Sequence, residues 1–258
     1  IGVPLFDRIG KNIFLTEHGH EFLSYASSIV QIKAKACAIG KNENDMSGIF
    51  RIGTATSLFP STLCRALLTY RQCYPNIELH IQSDRHLDAS TYLNENKVDM
   101  LYRAGPLNSE PNFVCHYKRA EQLVFVASAS HPLAQKHSVQ LKELFEYPFV
   151  VTEQDGICYT MLRTLATLHG FTIRHNFIID ALNALLMLLV QGDSISFLPE
   201  YYISTVDNKG LKIIHVEDME PQIYYTQILF HKDKWITPYM RGLVDIIQEI
   251  SPERSSLI

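Results

Sequence analysis

No stretch of this chain is apolar enough to cross a bilayer. The longest apolar run is ALLMLLV at 184–190, whereas a spanning helix needs about 20 such residues. The start shows no basic stretch leading into an apolar segment and a small-residue cleavage site, so a secretory leader is not expected and a cytoplasmic location is the default. Cysteine is scarce: Cys37, Cys64, Cys73, Cys115 and Cys158 form an odd set without a C-x-x-C, which speaks for reduced thiols and against a disulfide framework or zinc cage. The eleven histidines are scattered, with no H-E-x-x-H, so neither a metal nor a cofactor is expected. A glycine-rich phosphate loop, a dinucleotide fingerprint and a Ser/His/Asp or Cys/His arrangement are all missing, so no common signature of an enzyme is present. Positive charge is not in excess: 23 Lys and Arg stand against 27 Asp and Glu, for a net charge of -4. The first 45 residues balance, Arg8, Lys11, Lys33, Lys35 and Lys41 against Asp7, Glu17, Glu21, Glu43 and Asp45. A chain that gripped nucleic acid over its whole surface would be basic.

What is present is material for a sizeable core. With 258 residues, 47% hydrophobic and 19% charged, the chain can fill one large domain or two smaller ones. Two apolar edges, 3–6 and 13–15, flank a polar turn at 7–12 and read as a β-hairpin. Thr16 is a good N-cap, and Glu17 follows in the first turn, where its charge complements the helix dipole. Beyond it Phe22, Ala26, Ile29 or Val30, Lys33 by its stem and Cys37 recur at intervals of three and four, an apolar stripe down one long helix. Such a stripe packs either on a second copy of the helix or back on the domain that follows. The polar, glycine-containing stretch 40–48 reads as a linker.

From residue 49 strands and helices alternate: strand 49–54, helix 57–73, strand 76–83, helix 87–96, strand 98–103, then two further strands within 113–128. This is the βαβαβ rhythm of a parallel, doubly wound sheet. The rhythm restarts with strand 149–153, helix 157–169, strand 176–180, helix 181–192 and strands 194–199 and 211–216. A strand at 223–231 and an amphipathic helix at 237–250, opened by Pro238 at its first position, close the chain.

Gly2-Val3-Pro4-Leu5-Phe6-x-Arg8, Leu15-Thr16-x-x-Gly19, GIFRIG (48–53), VDMLYRAGP (98–106), LVFVASASHPL (123–133) and LLVQGDSISFLP (188–199) follow one another in an order and spacing that resemble a LysR-type transcriptional regulator. The likeness runs from residue 1 to about residue 250. It implies an α/β fold: a two-subdomain, periplasmic-binding-protein-like (type 2) effector domain preceded by a long linker helix and a remnant of a winged-helix hairpin. In this chain that assigns 1–15 to the wing of a winged helix-turn-helix lacking most of its other parts, 16–46 to a dimerising linker helix, 47–129 with 221–258 to effector subdomain I, and 130–220 to subdomain II. It implies a non-enzymatic regulator whose partners are DNA, a small effector and further copies of the chain as dimer or tetramer, with RNA polymerase a further candidate and no membrane. Arg8 and Lys11 would touch the DNA backbone, which positions a protein without reading sequence. A transporter's solute-binding protein, or a thiol-dependent enzyme using Cys158, are the competing readings.

Ligands of open parallel sheets settle beyond the carboxyl ends of the strands. The first such end carries Thr54, Thr56 and Ser57 ahead of the helix expected at 57–73, whose unsatisfied N–H groups favour an anion. The same hydroxyls could serve only to cap that helix; the resemblance tips them toward an effector, anionic in character. Ser83, Asp84, Arg103, Ser128 and Thr152 stand at further strand ends. Arg103 either holds a carboxylate bidentately or pairs with a local acid such as Asp84. Phe197 is either an apolar wall of the site or plain core. Cys158, just inside an expected helix N-terminus, stands where a thiol's pKa is lowered, as a redox or ligand-contact residue. The segment Asp155-Gly156-x-Cys158 resembles the reactive-cysteine segment of the family's peroxide sensors, but no second cysteine follows for a disulfide switch.

Overall fold

The computed structural model describes residues 1–9, 12–38, 46–56, 58, 62–84, 88–152, 156–205 and 210–251. β1 (Phe6–Ile9) and β2 (Asn12–Leu15) pair antiparallel, Phe6 opposite Leu15 and Ile9 opposite Asn12. The first strand begins at Phe6 and not at Val3, because the carbonyls just before it are engaged by the coming helix. The Thr16 hydroxyl donates to the Pro4 carbonyl at 2.8 Å, and the Thr16 N–H donates to that of Leu5 at 3.1 Å. Thr16 then caps α1 (Glu17–Ala38), its Oγ1 accepting from the Gly19 N–H at 2.9 Å. Gly19 is required there, since a Cβ would run into the Leu5 carbonyl oxygen. Residues 39–45, the expected end of the helix and most of the linker, lie outside the described residues.

The remaining strands form one mixed sheet in the order β4-β3-β5-β11-β6-β9-β7-β8, with β10 on β6. The first lobe holds β3 (Gly48–Ala55), α2 (Cys64–Cys73), β4 (Ile77–Asp84) and β5 (Met100–Gly105), with β3 parallel to both β4 and β5. β6 (Phe113–Ser128) then leaves it. The second lobe holds α3 (Leu141–Leu144), β7 (Phe149–Val151), α4 (Ile157–His169), β8 (His175–Ile178), α5 (Leu182–Gln191), β9 (Ile195–Pro199), α6 (Glu200–Thr205) and β10 (Leu211–Ile214). β11 (Gln222–His231) returns to the first lobe, which α7 (Pro238–Ile250) completes. Thr237 caps α7, accepting from the Met240 N–H at 3.3 Å, and Pro238 fills the first position, where a missing N–H costs nothing.

Each lobe has its own core. Phe50, Ile52, Leu67, Tyr70, Ile228 and Leu243 belong to the main core of the first, where α2 and α7 pack against the sheet. In the second, Phe125, Phe149, Leu162 and Phe197 fill one side of the sheet and Val126, Val150, Leu185 and Leu189 the other. α4 and α5 thus bury the apolar stripes that their periodicity prescribes.

Three expectations change. Residues 113–128 form one sixteen-residue strand and not two: β11 pairs with β6 from Phe113 to Leu123, so the polar run 118–122 stays extended as the strand passes from one lobe to the other. The helix expected from residue 57 begins, among the described residues, with a π-type turn at 62–63 and becomes α2 at Cys64. The helix expected at 87–96 is a single π-helical turn, Ser90–Asn94.

Candidate ligand site

Strand alternation decides which side chains share the seam between the lobes. Thr54 at the end of β3 stands opposite Ser83 on β4 and Tyr102 on β5. Ala104 is opposite Thr226, Thr226 opposite Arg119, and Tyr224 opposite Glu121. Directly paired residues point to the same side, so Thr54, Tyr102, Thr226, Tyr224, Arg119 and Glu121 lie on one face. Along β6 that face continues through Leu123 and Phe125 into the second lobe's core. Ala104 and Tyr201 of α6 pack against the main cores of both lobes.

The seam is hydroxyl-rich and mostly buried. Thr54 is fully buried, its Oγ1 no nearer than 3.5 Å to the Ala55 carbonyl. Thr226 Oγ1 donates to Glu121 Oε1 at 3.3 Å, and Arg119 Nε stands 3.6 Å from the same oxygen. Burial raises the phenols of Tyr102, Tyr201 and Tyr224 well above their ordinary range, with neighbouring Tyr117 adding to Tyr102, Tyr224 to Tyr201 and Cys158 to Tyr224. All three therefore stay protonated, as hydroxyls and not phenolates.

The nine residues expected at this site divide. Thr54 is buried at the seam face, Thr56 is exposed in the turn just after β3, and Thr152 is half-buried immediately after β7. Ser83 is exposed on β4 beside Thr54, and Asp84 closes that strand opposite Ala55. Ser57 and the side chain of Asp84 lie outside the described residues. Arg103 does not join Thr54: one residue along from Tyr102, it faces the other side of the sheet. There it sits opposite Gln227, 3.4 Å from Asn108 Oδ1 and 3.8 Å from Glu110 Oε1. Ser128 is buried opposite Leu211 in the second lobe, donating to the Val190 carbonyl at 3.1 Å and 2.9 Å from Ser130 Oγ. It ties β6 to α5, and its hydroxyl is used in doing so. Phe197 is core, 3% exposed and 4.6 Å from the Phe125 ring centroid.

Cys158 also departs from expectation. Burial pushes its thiol up to about 12, although its backbone N–H at the start of α4 acts the other way. Desolvation disfavours the thiolate more than the helix terminus favours it. A reactive low-pKa cysteine is thus not what the fold builds, although Cys158 does lie near Tyr224. At the hairpin Arg8 is exposed on β1, while Lys11 lies outside the described residues.

Nothing in the sequence marks Tyr102, Glu121, Tyr201, Tyr224 and Thr226 as site residues. Their types carried no signal beyond strand and helix pattern; only the pairing of β5, β11 and β6 assembles them. Among the described residues no group of His, Cys, Asp and Glu is placed to hold a metal, and no helix is long and apolar enough to cross a membrane.

Two α/β lobes joined through long strands, with strand ends and buried hydroxyls gathered where they meet, define a ligand-sensing domain of the periplasmic-binding-protein-like type 2 fold. The chain belongs to the LysR family of transcriptional regulators: the family profile described as "LysR substrate binding domain" matches residues 43–251. It is 26% identical over 257 residues to the HTH-type transcriptional regulator YwqM of Bacillus subtilis (strain 168), covering 96% of this chain and 85% of that one. Among solved structures, full-length BenM is similar with a TM-score of 0.65 at 22% identity, covering 96% of this chain and 82% of BenM. The Synechocystis PCC6803 CcmR regulatory domain in complex with 2-PG has a TM-score of 0.69 at 19% identity, covering 80% of this chain and 98% of that domain.

Proposed function

We propose that this regulator senses a small, hydroxyl-bonding anion between its lobes and changes its action on DNA when that ligand binds. The observation that carries the reading is the face on which Thr54, Tyr102, Thr226 and Tyr224 converge between the two cores. Protonated phenols and a buried threonine donate hydrogen bonds without the desolvation cost of a free charge. Complex formation with 2-PG by the CcmR regulatory domain is in keeping with an anionic ligand. A ligand bridging both lobes favours one interlobe angle, and it shifts the molecule only by its differential affinity for the two arrangements.

The rest of the reading concerns what the lobes act upon. Phe22, Leu23, Tyr25 and Ile29 leave apolar surface exposed on α1, which supports pairing of two copies along this helix and, through it, of two DNA-contacting hairpins. Arg8 would touch phosphate and not bases. Such a regulator works where the DNA is, in the cytoplasm, and without turning over its ligand.

A thermal-shift screen of small organic acids against the purified chain tests the sensing role. A ligand present at about 100 times its Kd adds about 2.7 kcal/mol of stability. The shift should be weakened by Thr54→Val and Tyr224→Phe, which remove hydroxyls with little change of shape. Ligand shifts that both variants retain in full would exclude this face as the site.

A further inference from the structure

The first lobe has a concavity at the opposite end of β3 from Thr54. Its volume is about 720 Å³, and its walls are Ile49 and Arg51 on β3, His80 on β4, Asn96, Asp99 and side chains of the segment 233–240 that leads into α7.

One wall is charged in an asymmetric way. The Asp99 side chain is only 6% exposed, and both of its oxygens are taken. Oδ2 accepts from the Arg51 backbone N–H at 2.8 Å and from Arg51 Nε at 3.1 Å; Oδ1 accepts from Arg51 Nη2 at 2.9 Å and from Lys234 Nζ. Asn96, held at φ +52°, gives its carbonyl to Arg51 Nη1 at 2.8 Å and its Oδ1 to Lys234 Nζ at 2.9 Å. Two cations therefore share one buried carboxylate, which leaves one net positive charge. The cations are also the accessible part, with side chains 36% exposed for Arg51 and 21% for Lys234. Two of the three Lys234 N–H donors are committed, and among the described residues the third has no partner. At the rim Asp233 Oδ2 stands 3.8 Å from His231 Nδ1, and His80 Nε2 stands 2.6 Å from Glu78 Oε1. The apolar part of the wall is Ile49, half exposed, with Trp235, Tyr239 and Met240.

We propose that this concavity is a second small-molecule site, separate from the seam, which takes an aromatic carboxylate. The carboxylate would lie on the remaining Lys234 donor and the outer edge of Arg51, as a charge-assisted contact. The ring would lie against Trp235 and Tyr239, where flat aromatic surfaces attract one another beyond simple burial.

Trp235 is the single tryptophan of the chain, so its emission reports directly on this wall. Titration of the chain with benzoate should change that emission saturably, with a Kd on the order of 1 mM for so small a ligand, whereas benzylamine should not. Thr54→Val at the seam should leave the titration as it is. Lys234→Gln should weaken it about tenfold, and so should Ile49→Glu, which keeps the Arg51–Asp99–Lys234 group whole and sets a like charge against the ligand. If Lys234→Gln does not fold, Ile49→Glu decides alone. A flat benzoate titration, an equal response to benzylamine, an unweakened Ile49→Glu or a response lost in Thr54→Val would each overturn the proposal.

Discussion

Asp99 is a residue whose ionisation matters to the fold. Burial alone would raise its pKa, but the hydrogen bonds from Arg51 and Lys234 outweigh burial and hold the carboxyl below its ordinary value. An unfolded aspartate titrates near 3.9. The stabilisation is therefore fully present above that pH and is lost as pH falls through the lower, folded value. Asp99→Ala should cost about 2–3 kcal/mol at neutral pH, less than a fully buried pair because both cations keep some water. Denaturant midpoints measured against pH should show the variant losing less stability than the parent chain on the acid side. Cys158 makes the opposite point, that a helix start does not by itself activate a thiol. With its thiol pushed up to about 12, Cys158 should resist iodoacetamide in the native state while exposed Cys73 and Cys115 are labelled. Mass-spectrometric mapping that found Cys158 modified as fast as those two would contradict this.

The elements show how much local chemistry can be anticipated. α4 runs from Ile157 to His169, as its apolar periodicity prescribes, and Gly170 ends it in the left-handed conformation at φ +70°. α1 starts at Glu17 because Thr16 can cap it and Gly19 can approach the Leu5 carbonyl. Thr16→Ala removes both the cap and the bond to Pro4, and should cost about 1 kcal/mol or somewhat more of helix stability, read as lost protection of the Gly19 amide in hydrogen exchange. Where periodicity is weak the sequence misleads. β6 carries apolar residues at both ends and Lys118, Arg119, Glu121 and Gln122 between, a pattern that reads as two strands and a turn. Pairing with β11 keeps this middle portion extended. α6 and the π-helical turn at Ser90–Asn94 are too short for a period to establish itself.

For the whole molecule, exposed Phe22, Tyr25 and Ile29 on α1 make self-association the expected state of the chain. Phe22→Lys together with Ile29→Lys should shift it toward monomer in a sizing experiment at fixed concentration while leaving the two lobes folded, since among the described residues neither Phe22 nor Ile29 belongs to a lobe's core. A monomeric parent chain would remove the pairing role.

The two α/β units, the capped helix before them and the resemblance to the LysR family are all legible in the sequence, because helix caps, periodicity and motif order are local properties. So is the place of Thr54 at a strand end, since βαβ rhythm alone puts it there. Which hydroxyls join Thr54 is not local. Tyr224 and Thr226 lie some 170 residues away along the chain, at the register of β11 on β5 and β6, and a one-residue slip would turn both to the opposite face. By charge and position along its strand Arg103 reads as a ligand-holder. The tertiary structure turned it away from Thr54 because neighbouring residues of a strand face opposite sides of the sheet.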